Sequence, residues 1–379
     1  MNYEDVLNEN HSLDIPQSVF DTEIQRVVDE LTSKPGFDSS LKFDPKRHLD
    51  YRGVAKKYGF ADLGITNTHV KPINEIAATD PFSLFTIEAV DMMKYEIFSN
   101  EALLKKHGRL VSPGHSTGAS NLDFNISGFI DDTIFCKAAW NSPELRGIIN
   151  EIMNDKLTIP HQFSLSHVNV SLADSSKPQL DPDVDYKALK SVNDKMAAGV
   201  NWHYDSPPLV CVVMLSAPEE MIGGETGIRL GDESILRIPN TTVGCATMLQ
   251  GRVIKHIATK PVNNFDRITY VTSFIPEDPN RYDSTCATTE RPAVATSFTN
   301  DRFYPLYLGY RFDRVEKRLS QYRQMLLQNY EKGAKFDQGK ALEFMRDIEQ
   351  YLRTGYQDFE VLGDKEFPPP LFKKTYSEL

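Results

Sequence analysis

Two imidazoles and one carboxylate stand in an order that can hold a metal ion: His203 and Asp205, two residues apart, and then His256. Such a donor set grips a divalent iron by one face and leaves three positions open. Chemistry with O2 needs those positions, because O2 and an organic co-substrate must both reach the ion. Arg267 follows His256 by eleven residues, where its guanidinium could hold the distal carboxylate of that co-substrate. The His-x-Asp pair is weak by itself: with nine histidines in the chain, about one match is expected at random. His48-Leu49-Asp50 is such a match. It sits in a charged, Pro-containing stretch (43–52) with no strand pattern after it, so His48 reads as a surface or packing residue. His203 instead precedes a β-rich apolar run, LVCVVML at 209–215.

The elements that must position these groups are short strands. Residues 164–172 alternate, with His167, Asn169 and Ser171 on one face and Val168, Val170 and Leu172 on the other. Strand-like runs follow at 209–215, 227–230, 243–249, 253–256 and 267–274, punctuated by Gly223-Gly224, Gly231, Gly244 and Gly251. Closely spaced strands with glycine turns predict an antiparallel barrel or sandwich. Helical spacing predicts helices over 18–32, 46–59, 82–107, 311–332 and 338–354. In the fourth of these, Val315, Leu319, Tyr322 and Leu326 form an apolar stripe that suits bracing the barrel. Residues 68–81 read as a loop, the pattern turns to short strands from Arg109 onward, and 174–198 reads as an inserted loop with a short helix. An extended, Thr-rich stretch should run on to Pro305. The expected organisation is one domain over 1–379: an N-terminal helical extension (1–107), a jelly-roll core (108–280), and a C-terminal extended segment with helices (281–379).

The length allows a large core, and the net charge of −11 with no long basic cluster argues against a nucleic-acid surface. No apolar run approaches the length of a membrane span, and the acidic, polar start does not read as a signal peptide. Cys136, Cys211, Cys245 and Cys286 are far apart and form no C-x-x-C pair. Reduced thiols and a cytoplasmic location are the expectation. The oligomeric state is left open.

If the stretch around 203–205 is extended, His203 and Asp205 point to the same side. His256 must then arrive from another strand near the barrel mouth. On the following strand Arg267, Thr269, Val271 and Ser273 share a face. Arg267 and Thr269 could both reach a carboxylate, one by a bidentate fork and one by a hydroxyl.

His203-Tyr-Asp205, His256 and Arg267-Ile-Thr269, with Gly223-Gly224 and Leu249-Gln250-Gly251 between them, resemble the Fe(II)/2-oxoglutarate-dependent oxygenase family. The likeness is detailed over about residues 160–280. Upstream, 61–64 and 81–101 are less specifically similar to the soluble oxygenases of fungal metabolism. The resemblance implies a mainly β fold with α additions, a double-stranded β-helix braced by N- and C-terminal helices. It implies Fe(II) on His203, Asp205 and His256, and 2-oxoglutarate held by Arg267 with Thr269. Asn169 or His167 would contact the 2-oxoglutarate or line the pocket. Tyr204 would pack away from the metal, and Trp202 and Ser206 would border the substrate pocket. The implied reaction consumes O2, releases succinate and CO2, and oxidises an unactivated C–H bond of a small metabolite, by hydroxylation, desaturation or cyclisation. An amino acid or a secondary-metabolite intermediate would be the substrate, and ascorbate would help turnover in vitro. Asp205 fills the place that halogenating relatives leave open for chloride, which disfavours halogenation. Other readings are an Fe(II) oxidase that takes all its electrons from the substrate, a catalytically silent metal- or ligand-binding barrel, and a demethylase of protein or nucleic acid.

Overall fold

The computed structural model describes residues 13–111, 116–182, 184, 186, 197–216, 219–239, 242–291 and 294–359. Its strands, in chain order, are β1 (Lys57–Gly59), β2 (Ile76–Thr79), β3 (Phe82–Ser83), β4 (Gly108–Leu110), β5 (Asp123–Ser127), β6 (Leu157–Thr158) and β7 (His167–Ser171). There follow β8 (Ala198–His203), β9 (Leu209–Ser216), β10 (Thr226–Arg229), β11 (Ile235–Ile238), β12 (Cys245–Leu249), β13 (His256–Thr259) and β14 (Arg267–Pro276). The larger sheet runs β1-β2-β12-β9-β14-β7-β5-β4, with β3 beside β12 and β6 beside β14. A four-stranded sheet runs β11-β10-β13-β8. From β7 to β14 the chain passes back and forth between the two sheets, and every pairing is antiparallel. That order is a double-stranded β-helix, the jelly-roll barrel that the sequence led one to expect.

Strand β14 shows how one segment serves two environments. Ile268, Tyr270 and Phe274 join the apolar cluster under the helices, and Trp140 stacks on Tyr270 at 5.3 Å. The intervening Arg267, Thr269, Val271 and Ser273 line a cavity between the sheets. Period-two alternation in an extended backbone makes that division. Strand β9 is apolar on both faces because Cys211, Val213 and Leu215 pack in the cluster under the helices while Val210 and Val212 line the cavity.

The helices are α1 (Gln25–Thr32), α2 (Ile87–Phe98), α3 (Glu101–His107), α4 (Phe135–Trp140), α5 (Pro143–Met153), α6 (Asn300–Glu331) and α7 (Gln338–Tyr356). A short α turn and a π turn (Gln17–Val19, Phe20–Ile24) lead into α1, so the helix expected at 18–32 is present. No helix among the described residues is long and apolar enough to cross a membrane. The four cysteines are free thiols.

Several local expectations are corrected. The helix expected over 46–59 is a single turn, Pro45–His48, capped by the Asp44 side chain. Gly53 then takes φ +95°, and Lys57–Gly59 pairs with β2. β2 lies within the stretch expected to be a loop. The long helix expected over 82–107 is two helices, because Asn100 turns its side chain to the Leu103 N–H and starts a second one. Helices α4 and α5 interrupt the strand pattern expected after Arg109. Ser142 caps α5, Pro143 opens it, and Asn154 ends it in a left-handed conformation. Helix α6 starts at Asn300, not 311, and holds Pro305 in its second turn. The lost hydrogen bond is offset by burial of Phe303, Tyr307 and Tyr310 against Phe163 and Phe298. Of the apolar stripe on α6, Val315 is buried and Tyr322 stacks on Phe344, but Leu319 is exposed. The short helix expected within 174–198 lies outside the described residues. His48 is the packing residue expected, fully buried between Phe43 and Phe135.

The turn between β12 and β13 is held from outside the barrel. The Gln250 side chain accepts from the Ile73 N–H at 2.9 Å and donates to the carbonyls of Asn74 (3.0 Å) and Ile76 (2.6 Å). It is wholly buried. Replacing it with Ala strands those groups, so Gln250→Ala should lower stability by about 1–3 kcal/mol. Chemical denaturation of the two proteins measures it, and an unchanged midpoint would disprove the pinning role.

Candidate metal centre

Strands β8 and β13 are neighbours, and their register sets His203 directly against His256. Directly opposed residues project from the same face, and the two rings lie 4.2 Å apart. His203 closes β8. His256 opens β13 instead of ending a strand over 253–256, because 250–254 form a turn in which the Val253 and Ile254 N–H groups donate to the Gln250 carbonyl.

Asp205 lies just beyond β8. Its backbone N–H donates to the Gly251 carbonyl at 2.9 Å, which ties it to the β12–β13 turn. Its Oδ1 sits 3.2 Å from His203 Nε2 and 3.5 Å from His256 Nε2. One donor atom from each of the three residues falls within a span of 4.8 Å.

The far side of each ring fixes its tautomer. His203 Nδ1 lies 2.6 Å from the Asn201 carbonyl, and His256 Nδ1 lies 2.9 Å from the Ile254 carbonyl. A carbonyl only accepts, so each Nδ1 carries the proton and each neutral ring presents a bare Nε2 toward Asp205. Two Nε2 lone pairs and a carboxylate on one side of a cavity suit a divalent transition ion bound facially. Burial favours a neutral Asp205, but when the rings instead take up a second proton at Nε2, the charge on His256 and the hydrogen bonds both rings then donate prevail and hold its pKa well below the usual carboxylate range. Burial pushes His256 down, yet the Asp205 carboxylate outweighs it and the net shift is upward.

The cavity beside the three residues measures about 130 Å³. Arg267, Thr269, Val271 and Ser273 of β14 all line it, as do His167 and Asn169 of β7. Asn169 stands opposite Thr269 in the sheet, and its Oδ1 lies 3.1 Å from His167 Nε2. Arg267 is buried, and its Nε donates to the Gly224 carbonyl at 2.7 Å. It forms no ion pair with a described carboxylate. Burial therefore draws its pKa down to about 10, only partly opposed by Glu225.

Two flanking residues do not border this cavity. Ser206 is buried and its Oγ bonds Thr289 Oγ1 at 2.8 Å, while Trp202 packs with Ala198 and Ile257 beneath Arg229. Tyr204 turns away as expected and meets the His69 ring edge-on. Sequence reasoning missed Asn125, Thr289 and Glu290, which also line the cavity. Asn125 is the next residue across the sheet from Asn169, a neighbour that pairing alone reveals. Glu290 carries no motif. Its one signal is a lone acid in a Thr-rich stretch.

No protein-family model matches the chain, and no curated protein does. Among solved structures, a Pseudomonas putida prolyl-4-hydroxylase is similar at 12% identity and TM-score 0.33, over 51% of this chain and 88% of that one. HygX from Streptomyces hygroscopicus, solved with nickel and 2-oxoglutarate, is similar at 12% identity and TM-score 0.31, over 51% and 80%. The epimerase SnoN of nogalamycin biosynthesis aligns at 12% identity and TM-score 0.28, over 41% and 62%. Likeness this low carries no weight here. The class that strand order and side chains define is a double-stranded β-helix with a two-histidine, one-carboxylate candidate metal centre at one end of its cavity.

Gly251 is the close-approach point of this centre. A Cβ placed there would lie 1.7 Å from Asp205 Oδ2 and 2.5 Å from its Cγ. Gly251→Ala should displace the carboxylate and weaken divalent-metal binding by about tenfold or more while the barrel stays folded. Anaerobic Fe(II) or Co(II) titration, with circular dichroism as the control, reads both. Wild-type affinity in the variant would refute the close packing.

Proposed function

We propose that the chain is an Fe(II)- and 2-oxoglutarate-dependent oxygenase that oxidises a C–H bond of a small metabolite. The observation that carries this reading is the pairing of two groups in one cavity. Three converging donors suit iron, and a buried arginine with no carboxylate partner among the described residues stands on the neighbouring wall. A desolvated guanidinium calls for an anion, and the distal carboxylate of 2-oxoglutarate is one.

His203 and His256 would offer Nε2, oriented by their Nδ1–H bonds to backbone carbonyls, and Asp205 would offer its carboxylate. When bound, iron with 2-oxoglutarate supplies O2-derived oxidising power and leaves succinate and CO2. Arg267 and Thr269 would hold the co-substrate by its far end, with Asn169 alongside. Val210, Val212, Val271 and Leu249 give the same cavity an apolar lining. A cavity of about 130 Å³ suits a small-molecule substrate.

A succinate-release screen with Fe(II), 2-oxoglutarate, O2 and ascorbate against amino acids and other small metabolites tests the reading. Succinate should form in step with product, and Asp205→Ala should abolish it. O2 uptake and product without succinate would replace this reading with the oxidase. Arg267→Ala should weaken 2-oxoglutarate binding by on the order of a hundredfold, the loss of a charge-assisted pair. Unchanged 2-oxoglutarate affinity would remove its anchoring role.

A further inference from the structure

The cavity has a further ionisable side chain, and the proposed reaction leaves it unused. Glu290 lines the same space as His203, Asp205 and His256. Its Oε2 is sealed from solvent, and no described group donates a hydrogen bond to it. Burial raises its pKa to about 8, and the Asp205 carboxylate adds to the rise. Thr289, the residue before it, is bonded to Ser206, the residue after Asp205, so the backbone brings Glu290 to the Asp205 side of the cavity. Arg267 lines the cavity from β14.

The position of Glu290 is built. Ser206 follows the ligand Asp205 directly, and three bonds tie it to the turn that carries Glu290. The Cys286 N–H donates to the Ser206 carbonyl at 3.1 Å, the Thr289 N–H donates to Ser206 Oγ at 2.8 Å, and the two hydroxyls meet at 2.8 Å. The Glu290 and Arg291 N–H groups close the turn onto the Ala287 carbonyl at 3.2 and 2.8 Å. A carboxyl is thus held at a set place beside the candidate metal centre. Buried polar groups without a partner are rare in folded proteins and mark a ligand or a functional constraint.

We propose that Glu290 selects the substrate, and that the substrate is a small compound bearing a protonated amine which the Glu290 carboxyl receives. This deepens the reading of the site as an oxygenase and rests on it for the role of the cavity. Charge favours the choice. Arg267 suits the anionic co-substrate, and Glu290 and Asp205 are the acidic side chains among the described residues that line the cavity. An anionic substrate would meet Glu290 and Asp205 together, whereas an ammonium group would supply the N–H donor that Glu290 lacks.

The test uses the full chain loaded anaerobically with Fe(II) and 2-oxoglutarate, and n-butylamine and n-butanol as probes in saturation-transfer NMR. Butylamine should bind about tenfold more tightly than butanol, as a charge-assisted hydrogen bond implies. Glu290→Gln should erase that preference without changing 2-oxoglutarate affinity, and Glu290→Asp should keep part of it. Equal binding of the two probes by the wild-type chain overturns the proposal, and so does a preference that survives Glu290→Gln. If Glu290→Gln does not fold, the wild-type comparison and Glu290→Asp decide. Failure of 2-oxoglutarate to bind the iron-loaded protein would instead strike the oxygenase reading. The amine preference can still be read on the metal-free chain, which keeps the two failures apart.

Discussion

The register between β8 and β13 is the constraint on which the candidate centre depends. His203 and His256 are 53 positions apart in the chain, and antiparallel pairing places them face to face. A slip of one residue would turn one ring to the opposite side of the sheet, since side chains alternate along a strand. The Gln250–Gly251 turn guards against that slip. Gln250 locks the turn to the 73–76 segment, and Gly251 lets Asp205 approach closer than any side chain would permit. Stability at the edge of the barrel and geometry at its centre thus share a few residues.

The cavity is lined by groups of opposite charge. On β8, β13 and the residues after β8, a carboxylate lies between two imidazoles whose outer nitrogens are committed to carbonyls. From β14, a buried guanidinium donates to one backbone carbonyl. Neither arrangement is what a core would choose for stability, because desolvated charge is costly unless it is paired. The apolar cluster on the outer face of the larger sheet, with Trp140 against Tyr270, supplies the packing that lets β14 carry such residues on its inner face.

Much of the site was legible in the chain. The apolar run at 209–215 and the alternation at 267–274 identified two central strands, and β14 divides its residues between two faces as period two requires. Legibility failed where tertiary contacts override local preference. Residues 46–59 look helical, but Gly53 and pairing with β2 end the helix after one turn. Pro305 reads as a helix boundary, yet aromatic packing carries α6 through it. Glu290 carried only the signal of a lone acid in a Thr-rich stretch, because what distinguishes it is its surroundings.

Residue type and spacing alone determined which atoms are available: two imidazoles, a carboxylate, a guanidinium and a hydroxyl, with glycines where the chain must turn. These follow from covalent identity and from the two-residue period of a strand. Only the tertiary structure decided that His256 begins its strand directly opposite His203, that Ser206 braces a distant turn instead of bordering the cavity, and that Glu290 lines that cavity with one oxygen buried and given no donor by the described residues. Those facts depend on register and on contacts between segments far apart in sequence, and no local pattern encodes such contacts.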